Sequence, residues 1–508
     1  MVNPLHDALL APLAGRDSPL LQMPDGARIS GADFLSLVAR LANVLETSGL
    51  RAGDRLAVQV EKSPEALAVY GAAIMLGAVF LPLNPAYTAA EVGYFLNDAT
   101  PRIFICDPAH KDELAGVAGT CGARILTLGA DGRGSLTDEN QNRVDAIKAA
   151  PRAPGDLAAI LYTSGTTGRS KGAMLTHENL LSNAVALAKL WRFTPDDVLL
   201  HALPIYHTHG LFVATNVVLL TGGAMQFLPG FDLDTIRRVM PQASVMMGVP
   251  TFYTRLLADP RFTRETAAGM RLFISGSAPL LAATHREFRD RTGHAILERY
   301  GLTETGMNTS NPYEGERRAG TVGLPLPGVA LRIMEGAREV GPGEAGVIEV
   351  RGPNVFAGYW RMPEKTREEL RDDGWFITGD IGTRDTDGYV TIVGREKDMI
   401  ISGGLNVYPR EVELLLDAQP GVAESAVIGL PHPDFGEAVF AVLVRTPGAD
   451  PDPDEALAAI APHIARFKQP KGAVVVDALP RNAMGKVQKA LLRAEHAGRF
   501  ARAANAGG

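Results

Sequence analysis

The stretch 163–172, Thr-Ser-Gly-Thr-Thr-Gly-Arg-Ser-Lys-Gly, constrains the fold of this chain most strongly. It follows the apolar segment 157–162, which the pattern predicts to be a short buried strand. Glycines let a backbone turn sharply and approach a ligand, while amides, hydroxyls and cations suit phosphate oxygens. Lys171 is followed by Gly172 and not by Ser or Thr, so the stretch does not match the Walker P-loop. The sequence therefore predicts a strand that leads into a nucleotide-binding loop of a different kind.

The length and composition are typical of a multidomain globular enzyme. A chain of 508 residues is too long for one hydrophobic core and predicts two to four domains. Hydrophobic residues make up 46% and charged residues 21%, and the net charge of −7 argues against broad nucleic-acid binding. Two cysteines, Cys106 and Cys121, are too few for a disulfide framework or a zinc site. The first residues make a poor signal peptide and no apolar run reaches the roughly 18–20 residues that span a bilayer, so we expect a cytoplasmic protein with no membrane partner.

Helical and strand patterns alternate over most of the chain. This alternation predicts an α/β fold with doubly wound sheets. The predicted strands are 55–59, 78–82, 103–106, 124–128, 198–202, 224–227, 245–248 and 272–275, and the predicted helices are 30–48, 64–76, 88–97, 211–220, 251–259 and 281–292.

The amino-acid composition changes from about residue 320, where glycine and proline become frequent. Short β-type runs at 330–334, 346–350, 375–378 and 389–393 predict a small β-barrel or a meander. The pattern from residue 397 onward predicts a small separate α+β domain. We therefore divide the chain into an N-terminal domain, 1–396, and a C-terminal domain, 397–508. The elements predicted in the latter are strands 399–401, 423–429, 439–445 and 473–477 and helices 410–417 and 454–466.

Two motifs in the second half of the N-terminal domain carry groups that suit a nucleotide. In Arg-Tyr-Gly-Leu-Thr-Glu-Thr, residues 299–305, Tyr300 can stack on a base, Thr303 can donate to a phosphate and Glu304 can ligate Mg²⁺. In Trp-Phe-Ile-Thr-Gly-Asp, residues 375–380, Asp380 can accept both ribose hydroxyls. Each motif by itself is also compatible with an ordinary turn and an exposed carboxylate.

Two charged stretches follow. Residues 394–404, Gly-Arg-Glu-Lys-Asp-Met-Ile-Ile-Ser-Gly-Gly, lie between two predicted folded units and are compatible with a hinge or with a solvated linker. Residues 479–486 present Lys486 behind a glycine in a predicted loop. A lone lysine of this kind is ordinarily a solvated surface charge.

In their order and spacing, these motifs resemble the family of acyl- and aryl-CoA synthetases, adenylation domains and luciferases that form acyl-adenylates. The resemblance covers residues 10–497 and implies a large N-terminal domain of two α/β subdomains and a β-barrel, followed by a small mobile C-terminal domain. It implies ATP, Mg²⁺ and coenzyme A as ligands, with Thr166 and Glu304 at the metal, Lys397 as the hinge and Ser402, Gly403 and Gly404 along the CoA path. The nucleotide-binding residues that it implies are Thr163, Ser164, Gly165, Thr166, Thr167, Gly168, Lys171, Gly276, Ser277, Ala278, Glu298, Arg299, Tyr300, Gly301, Thr303, Asp380 and Arg395.

The resemblance also implies a mechanism in two steps. A carboxylate attacks the α-phosphate of ATP and expels diphosphate, so the site must supply positive charge where two anions meet. Thr303, Glu304 and Lys486 are the implied catalytic residues. The CoA thiolate then attacks the acyl carbon from another side, after the C-terminal domain has rotated about Lys397 and withdrawn Lys486.

The expected acyl pocket is polar for a fatty chain. Across its segments the chain is most similar to malonyl-CoA synthetases, which implies malonate as the acid. The second carboxylate of malonate must stay ionised away from water, which requires a cation. Arg255 is expected to point inward to it, although a surface position is open, and Arg286 is the alternative. The candidate acyl-substrate residues are His207, Thr208, His209, Arg255, Ser277, Met307 and Arg286, of which Thr208 and Met307 are expected to limit the size of a 2-substituent.

Three functions remain compatible with the sequence. The first is a malonate–CoA ligase, the second a CoA ligase for another small, medium-chain or aryl acid, and the third an adenylation component that loads a carrier protein. The sequence leaves open a homodimer, and it leaves open control by a lysine acetyltransferase and deacetylase acting on Lys486, where loss of the charge would remove the function.

Overall fold

The structure is a computed structural model that describes residues 3–138, 147–163, 170–402, 405–432, 435–482 and 485–500. The chain divides into two compact units. Unit 1 comprises Met1–Leu331 and Val350–Phe376, and unit 2 comprises Arg332–Glu349 and Ile377–Gly508. Residues 377–396, which the sequence analysis placed in the N-terminal domain, belong to unit 2 because their strands pair with the strand around residues 346–351.

Unit 1 contains two mixed sheets, as the alternating pattern predicts. In the first sheet, β6, β5, β3, β4 and β7 run parallel, and β8 pairs antiparallel with β7 at one edge. The inner strands are buried on both faces, which explains their continuous apolar runs. The strands are β3 (Arg55–Gln59), β4 (Val79–Pro82), β5 (Ile103–Cys106), β6 (Arg124–Thr127), β7 (Leu157–Thr163) and β8 (Lys171–Thr176).

The second sheet of unit 1 has the order β15-β14-β13-β12-β11-β9-β10-β1-β2. Strands β13 to β1 in this order are parallel, and the edges end in the antiparallel pairs β13–β14, β14–β15 and β1–β2. The strands are β1 (Pro19–Gln22), β2 (Arg28–Ser30), β9 (Val198–His201), β10 (Ala224–Phe227), β11 (Val245–Gly248), β12 (Leu272–Ser275), β13 (Leu297–Leu302), β14 (Gly306–Ser310) and β15 (Leu324–Pro325).

Helices connect the strands, and capping residues define their ends. Ser63 caps α2 and accepts a hydrogen bond from the amide of Ala66, while Gly77 ends it with a φ of +66°. The helix predicted at 211–220 begins earlier, as a π-helical segment His209–Thr215. The α-helices of unit 1 are α1 (Gly31–Thr47), α2 (Pro64–Leu76), α3 (Ala89–Ala99), α4 (Lys111–Thr120), α5 (Ser135–Asp138), α6 (His177–Leu190), α7 (Asn216–Thr221), α8 (Leu233–Val239), α9 (Pro250–Ala258), α10 (Ala282–Thr292) and α11 (Pro363–Glu369).

Unit 2 is built on two sheets. The region expected to form a small barrel or meander forms a five-stranded sheet of order β17-β16-β18-β19-β20. In the other sheet, β23 and β24 form a long hairpin with β25 and β21 beside β24. The strands are β16 (Ala330–Glu335), β17 (Arg338–Glu339), β18 (Gly346–Arg351), β19 (Phe376–Arg384), β20 (Val390–Arg395), β21 (Ile400–Ser402), β22 (Leu405–Val407), β23 (Val422–His432), β24 (Gly436–Arg445) and β25 (Ala473–Val476), and the α-helices are α12 (Pro409–Leu416), α13 (Pro453–Ile460) and α14 (Lys489–His496).

One predicted helix of unit 2 is too long. The pattern predicts a helix over 454–466, but α13 ends at Ile460 and gives way to a 3₁₀ turn, Ala461–His463. Pro462 lacks the amide hydrogen that an α-helix would need at this point. Within the described ranges, we find no helix that combines the length and the apolar character needed to cross a bilayer.

Candidate active site

The glycine-rich loop leaves the first sheet at Thr163 and returns to it at Lys171, and these two residues face each other in antiparallel register. The loop follows the carboxyl end of β7, which is the edge at which open α/β sheets bind their ligands. The predicted phosphate-binding residues between these ends, Ser164, Gly165, Thr166, Thr167 and Gly168, lie outside the described residues.

Lys171 is a buried cation whose charge is already neutralised within unit 1. Its Nζ lies 3.1 and 3.2 Å from the carboxylate oxygens of Glu369 on α11 and 3.2 Å from Oη of Tyr359. The Tyr359 ring also lies under the ammonium group, with 4.2 Å between Nζ and the ring centroid. Burial alone would raise the pKa of Glu369, but hydrogen bonds from Tyr359, Lys365 and Lys171 outweigh burial and lower that pKa. The carboxylate is therefore ionised and holds Lys171 in place.

Glu304 presents a buried carboxylate that forms an ion pair with none of the described cations. It lies in the turn between β13 and β14, beside the half-buried Thr303, and is 8% exposed. Oε1 accepts hydrogen bonds from Tyr359 at 3.0 Å and from Thr163 at 3.5 Å. Tyr359 also lies 2.5 Å from Glu369, and its single hydroxyl proton can serve only one of the two carboxylates at a time.

The surroundings of Glu304 fit a magnesium ion better than a structural metal. Its neighbours supply oxygen atoms, and Mg²⁺ is held in proteins by one or two carboxylates together with substrate phosphates. The described part of the chain contains no group of three or more His, Cys, Asp and Glu side chains that could hold a metal ion by themselves. A metal at Glu304 would therefore depend on a bound nucleotide.

The hairpin of β13 and β14 carries the other residues of the 299–305 motif. Glu298 is buried, and its Oε1 accepts a hydrogen bond from the amide of Gly320 at 3.3 Å. Tyr300 is half buried and lies opposite Thr309. A Cβ atom at Gly301 would lie 2.0 Å from the carbonyl oxygen of Gly306, so the tight turn of this hairpin requires glycine.

Arg299 is a buried guanidinium group without a counterion among the described residues. It is 3% exposed, and its Nε and Nη2 have no hydrogen-bond partner. Gly276 provides the space, because a Cβ atom there would lie 2.4 Å from Cζ of Arg299. Burial lowers the pKa of Arg299 to about 9, and Tyr253 acts in the opposite direction. Since an unpaired buried cation is unfavourable, this arrangement suits an anionic ligand.

His209 and Ser277 lie beside this guanidinium group. Nδ1 of His209 is 3.2 Å from Oγ of Ser277, while Nε2 has no partner. Burial and then the charge of Arg299 lower the pKa of His209 well below its ordinary value, so the ring is neutral at pH 7. Ser277, which precedes the half-buried Ala278, adopts a φ of +71°, a conformation that residues other than glycine rarely adopt. A guanidinium, a neutral imidazole and a hydroxyl thus lie together at the carboxyl end of β12.

The expectation that Arg255 points inward is wrong. Helix α9 buries Phe252, Tyr253, Leu256 and Leu257, so Arg255 lies on the opposite, exposed face, with its guanidinium 5.6 Å from the centroid of the Phe231 ring. The apolar character of the segment comes from one face of the helix and does not extend to residue 255. The alternative, Arg286, is also exposed, on α10. Of these three arginines, Arg299 is the buried one.

The two residues expected to limit substrate size are both buried. Thr208 is 4% exposed and lines a small cavity together with Gly306, and its hydroxyl has no hydrogen-bond partner in the structure. Met307 exchanges backbone hydrogen bonds with the side-chain amide of Asn183 at 2.9 and 3.1 Å. His207 is half buried. These positions are compatible with a pocket wall, and their roles stay predictions.

Unit 2 holds the predicted ribose carboxylate. Asp380 is buried and lies opposite Arg395 in the β19–β20 pair, with 2.8 Å between Oδ1 and Nε of the arginine. Lys397 lies in the 3₁₀ turn Glu396–Asp398 that follows β20. Burial, followed by the charge of Arg395, lowers the pKa of Lys397. Asp380, Arg395 and Lys397 therefore lie at one end of the five-stranded sheet of unit 2.

Of the remaining predicted residues of unit 2, the structure describes Ser402 and Lys486. Ser402 is buried at the end of β21, and Gly403 and Gly404 lie outside the described residues. Lys486 is exposed in a turn in which its amide donates to Oδ1 of Asn482 at 3.0 Å, and the amide of Asn482 donates to the carbonyl of Lys486 at 3.0 Å. This turn precedes α14 and presents the lysine to solvent.

Sequence reasoning missed two residues of this site in unit 1, Tyr359 and Glu369. It predicted Arg299 as a nucleotide contact but did not predict its burial, which the charged pair Glu298-Arg299 inside the apolar run 295–302 signals. Tyr359 and Glu369 gave no signal near Lys171, because 198 positions separate Glu369 from that lysine along the chain. Their contacts with Lys171 exist only in the folded unit.

Comparison with known proteins gives matches over nearly the whole chain. The profile described as AMP-binding enzyme matches residues 14–360, and that described as AMP-binding enzyme C-terminal domain matches residues 411–486. The solved structure of ATP-bound MatB from Rhodopseudomonas palustris is 56% identical, with a TM-score of 0.95 over 98% of this chain and 100% of that chain. A feruloyl-CoA synthase from an Amycolatopsis species is 38% identical over 92% of this chain and 94% of its own length. A malonate–CoA ligase from Arabidopsis thaliana is 35% identical over 88% of this chain and 79% of its own length.

Proposed function

The chain belongs to the AMP-binding enzyme family, and we propose that it is an AMP-forming malonate–CoA ligase. In this proposal, malonate and ATP form malonyl-adenylate and diphosphate, and CoA then displaces AMP to give malonyl-CoA. The similarity to a malonate–CoA ligase supports the choice of acid, while the similarity to a feruloyl-CoA synthase keeps an aryl acid as the alternative to be tested.

The observation that carries the choice of malonate is the buried, unpaired guanidinium group of Arg299. One carboxylate of malonate reacts, and the other must remain ionised in a site from which water is excluded. Arg299 can form a charge-assisted pair with that second carboxylate, and Ser277 and His209 can donate further hydrogen bonds. A monocarboxylic acid would leave the guanidinium unpaired, so the site would bind such an acid weakly.

The nucleotide side of the proposal rests on the loop between Thr163 and Lys171 and on the adjacent hairpin. We assign the triphosphate to the loop, the base to Tyr300 and the ribose to Asp380 and Arg395. Glu304 would hold Mg²⁺ together with Thr166, which lies outside the described residues, and the ion would neutralise part of the phosphate charge when bound.

Lys486 is the proposed cation of the first step. Its exposed position on a turn of unit 2 suits a group that enters and leaves a site, because lysine is a flexible point charge. Rotation about Lys397 would withdraw it before CoA enters along the segment that begins at Ser402. The turn geometry at Asn482 supports only the accessibility of the lysine.

Substitution of Lys486 by alanine tests this role. We expect Lys486→Ala to reduce malonyl-adenylate formation at least about 10²-fold, because a charge that stabilises the transition state is lost. Conversion of supplied malonyl-adenylate to malonyl-CoA should persist. An equal loss in both half-reactions would contradict the assignment.

An assay of AMP release decides the function. The purified protein is incubated with ATP, Mg²⁺ and CoA and with malonate, methylmalonate, butyrate, benzoate or ferulate in turn. The proposal requires the highest kcat/KM with malonate and dependence on free CoA for release of the thioester. Preference for a monocarboxylic acid would show that the protein is a CoA ligase for another acid. Transfer to a carrier protein without free CoA would show that it is an adenylation component that loads a carrier protein.

A further inference from the structure

Lys62 is a buried lysine outside all the sequence motifs. It lies between β3 and α2 and is 9% exposed. Its Nζ is 2.7 Å from the carbonyl oxygen of His201, 2.9 Å from that of Leu203 and 2.9 Å from Nδ1 of the His201 ring. The centroid of the Phe227 ring lies 4.4 Å from the same atom. Among the described residues, no carboxylate forms an ion pair with Lys62.

The hydrogen-bond inventory fixes the charge of the Lys62–His201 pair. Nε2 of His201 is 2.9 Å from the carbonyl oxygen of Gly210, which can only accept, so Nε2 must carry a hydrogen. Two carbonyl oxygens require two further hydrogens from Nζ, and one more hydrogen must lie between Nζ and Nδ1. These four hydrogens are one more than a neutral lysine and a neutral histidine supply together. The pair therefore carries one positive charge, wherever the shared proton lies.

Burial opposes positive charge on both groups of the pair. Burial lowers the pKa of Lys62 well below its ordinary value. Burial, followed by the charge of Lys62, lowers the pKa of His201 well below its ordinary value. These effects exclude a second positive charge, while the hydrogen bonds to three carbonyl oxygens require the first, so the Lys62–His201 pair carries one charge.

The pair closes the loop that carries three of the acyl-site candidates. We use loop 202–209 for the connection after β9 together with His209, the first residue of the π-helical segment His209–Thr215. Lys62 binds the carbonyls of His201 and Leu203 at the start of this loop, and His201 binds the carbonyl of Gly210 directly after it. The two ends approach so closely that a Cβ atom at Gly210 would lie 2.0 Å from the carbonyl oxygen of Pro204. The loop between them bears His207, Thr208 and His209. The Lys62–His201 pair is thus placed to fix the position of His209.

The charge of the pair also reaches the region of Arg299. His201 is among the groups that lower the pKa of His209, after burial, Arg299 and His207. His209 therefore lies within electrostatic range of two buried positive groups, the guanidinium of Arg299 and the Lys62–His201 pair. Unpaired buried charge is unfavourable in the free protein, and an anion bound nearby would offset that cost for both groups.

We propose that Lys62, through His201, is a positioning residue that selects dicarboxylic acids, because it fixes loop 202–209 and adds a second buried positive charge behind the acyl site. This inference rests on the proposed function and names a residue that determines its specificity. The ammonium group of Lys62 is hydrogen-bonded to protein groups, so we expect it to act through the loop and its charge, on the binding of the second carboxylate and not on the nucleotide.

Kinetics of Lys62→Met and Lys62→Gln test the inference. Both variants remove the charge, and the amide of glutamine can still donate to the two carbonyls, so at least this variant should fold. We measure KM for malonate, butyrate and ATP by diphosphate release. KM for malonate should rise about tenfold, while KM for butyrate and for ATP should change less than about twofold.

Tyr70→Phe serves as the matched control. Tyr70 is buried on α2, close to Lys62 in sequence, and donates a hydrogen bond to Asn216 at 3.2 Å, so the variant removes a buried polar contact without a charge. It should leave the ratio of the two KM values unchanged. Equal increases of KM for malonate and butyrate in the Lys62 variants would overturn the inference, because a purely structural role predicts that result.

The wild-type protein separates this inference from the proposed function. A wild type that activates butyrate or benzoate better than malonate would refute both together. A wild type that prefers malonate, combined with a folded Lys62→Gln variant of undiminished selectivity, would refute only the role of Lys62.

Discussion

Two buried cations of unit 1, Lys171 and Arg299, have opposite surroundings. Lys171 lies against the carboxylate of Glu369, the hydroxyl of Tyr359 and the face of the Tyr359 ring. Arg299 has two nitrogen atoms without a partner, and its charge helps to lower the pKa of His209. One cation is thus neutralised by the protein itself, whereas the other is not.

The difference indicates what each cation does before a ligand binds. A buried charge with its partner contributes to the fold, and removal of the partner alone is strongly unfavourable. A buried charge without a partner lowers the stability of the free protein. It can be retained because a ligand supplies the missing counter-charge. We therefore expect the Lys171 region to respond to substitution mainly through stability, and the Arg299 region mainly through binding.

The largest expected effect is the loss of malonate activation in Arg299→Met. Removal of one partner of a buried charge pair costs about 2–5 kcal/mol, so kcat/KM for malonate should fall about 30- to 5,000-fold. The value for butyrate should not fall, because butyrate has no second carboxylate and the substitution removes the guanidinium that butyrate would leave unpaired. Steady-state measurement of AMP release with both acids gives the two values.

Arg255→Met decides between the two arginines in the same assay. Arg255 is exposed on α9, so its substitution should change kcat/KM for malonate less than about twofold. A larger loss in Arg255→Met than in Arg299→Met would restore the interpretation made from the sequence and would remove the basis of the comparison.

The second effect is a loss of stability in Glu369→Gln. This substitution leaves Lys171 buried without a counterion, and we expect the free energy of unfolding to fall by about 2–3 kcal/mol, somewhat less than for a fully buried pair. Urea denaturation measures the change. Glu368→Gln is the matched control, since the neighbouring Glu368 forms an exposed pair with Lys365 and should matter little. Arg299→Met should not destabilise the free protein. A loss comparable to that of Glu369→Gln would mean that Arg299 also contributes to the fold before a ligand binds.

The sequence predicts the framework of this site well, for a local reason. The strand 157–162, the helix 64–76 and the strand 272–275 are confirmed to within one residue, because each is determined by its own apolar pattern and its own ends. The loop after β7 and the turn that carries Glu304 could be identified in the same way, from residues adjacent in the chain.

The electrostatic pairing could not be predicted from the sequence. Lys171 is neutralised by a carboxylate on α11, which lies far along the chain. Whether Arg255 can serve as the buried cation depends on which face of α9 is buried. The expectation for Arg255 failed because an apolar run was taken to be buried on all sides, whereas α9 is amphipathic. The partners of Lys62, separated from it by 139 and 141 positions, were likewise not predictable.

The smallest expected effect is a change in how acid lowers the stability of the protein, and it concerns His209. Because its pKa in the folded protein lies well below 6.5, the unfolded chain binds a proton that the folded protein does not, and stability is lost as the pH falls below about 6.5.

Arg299→Met removes one cause of this depression while burial, the larger cause, remains. On acidification, the loss of unfolding free energy should therefore level off at a higher pH in the variant than in the wild type, because the folded variant begins to bind the proton at a higher pH. Urea titrations of both proteins, from pH 7.5 to the lowest pH at which both stay folded, locate these two pH values. The contributions of other buried histidines, such as His177, are common to the two proteins and cancel. Identical pH dependence in both proteins would mean that the charge of Arg299 does not act on His209, and the two groups could then not be treated as one anion-binding site.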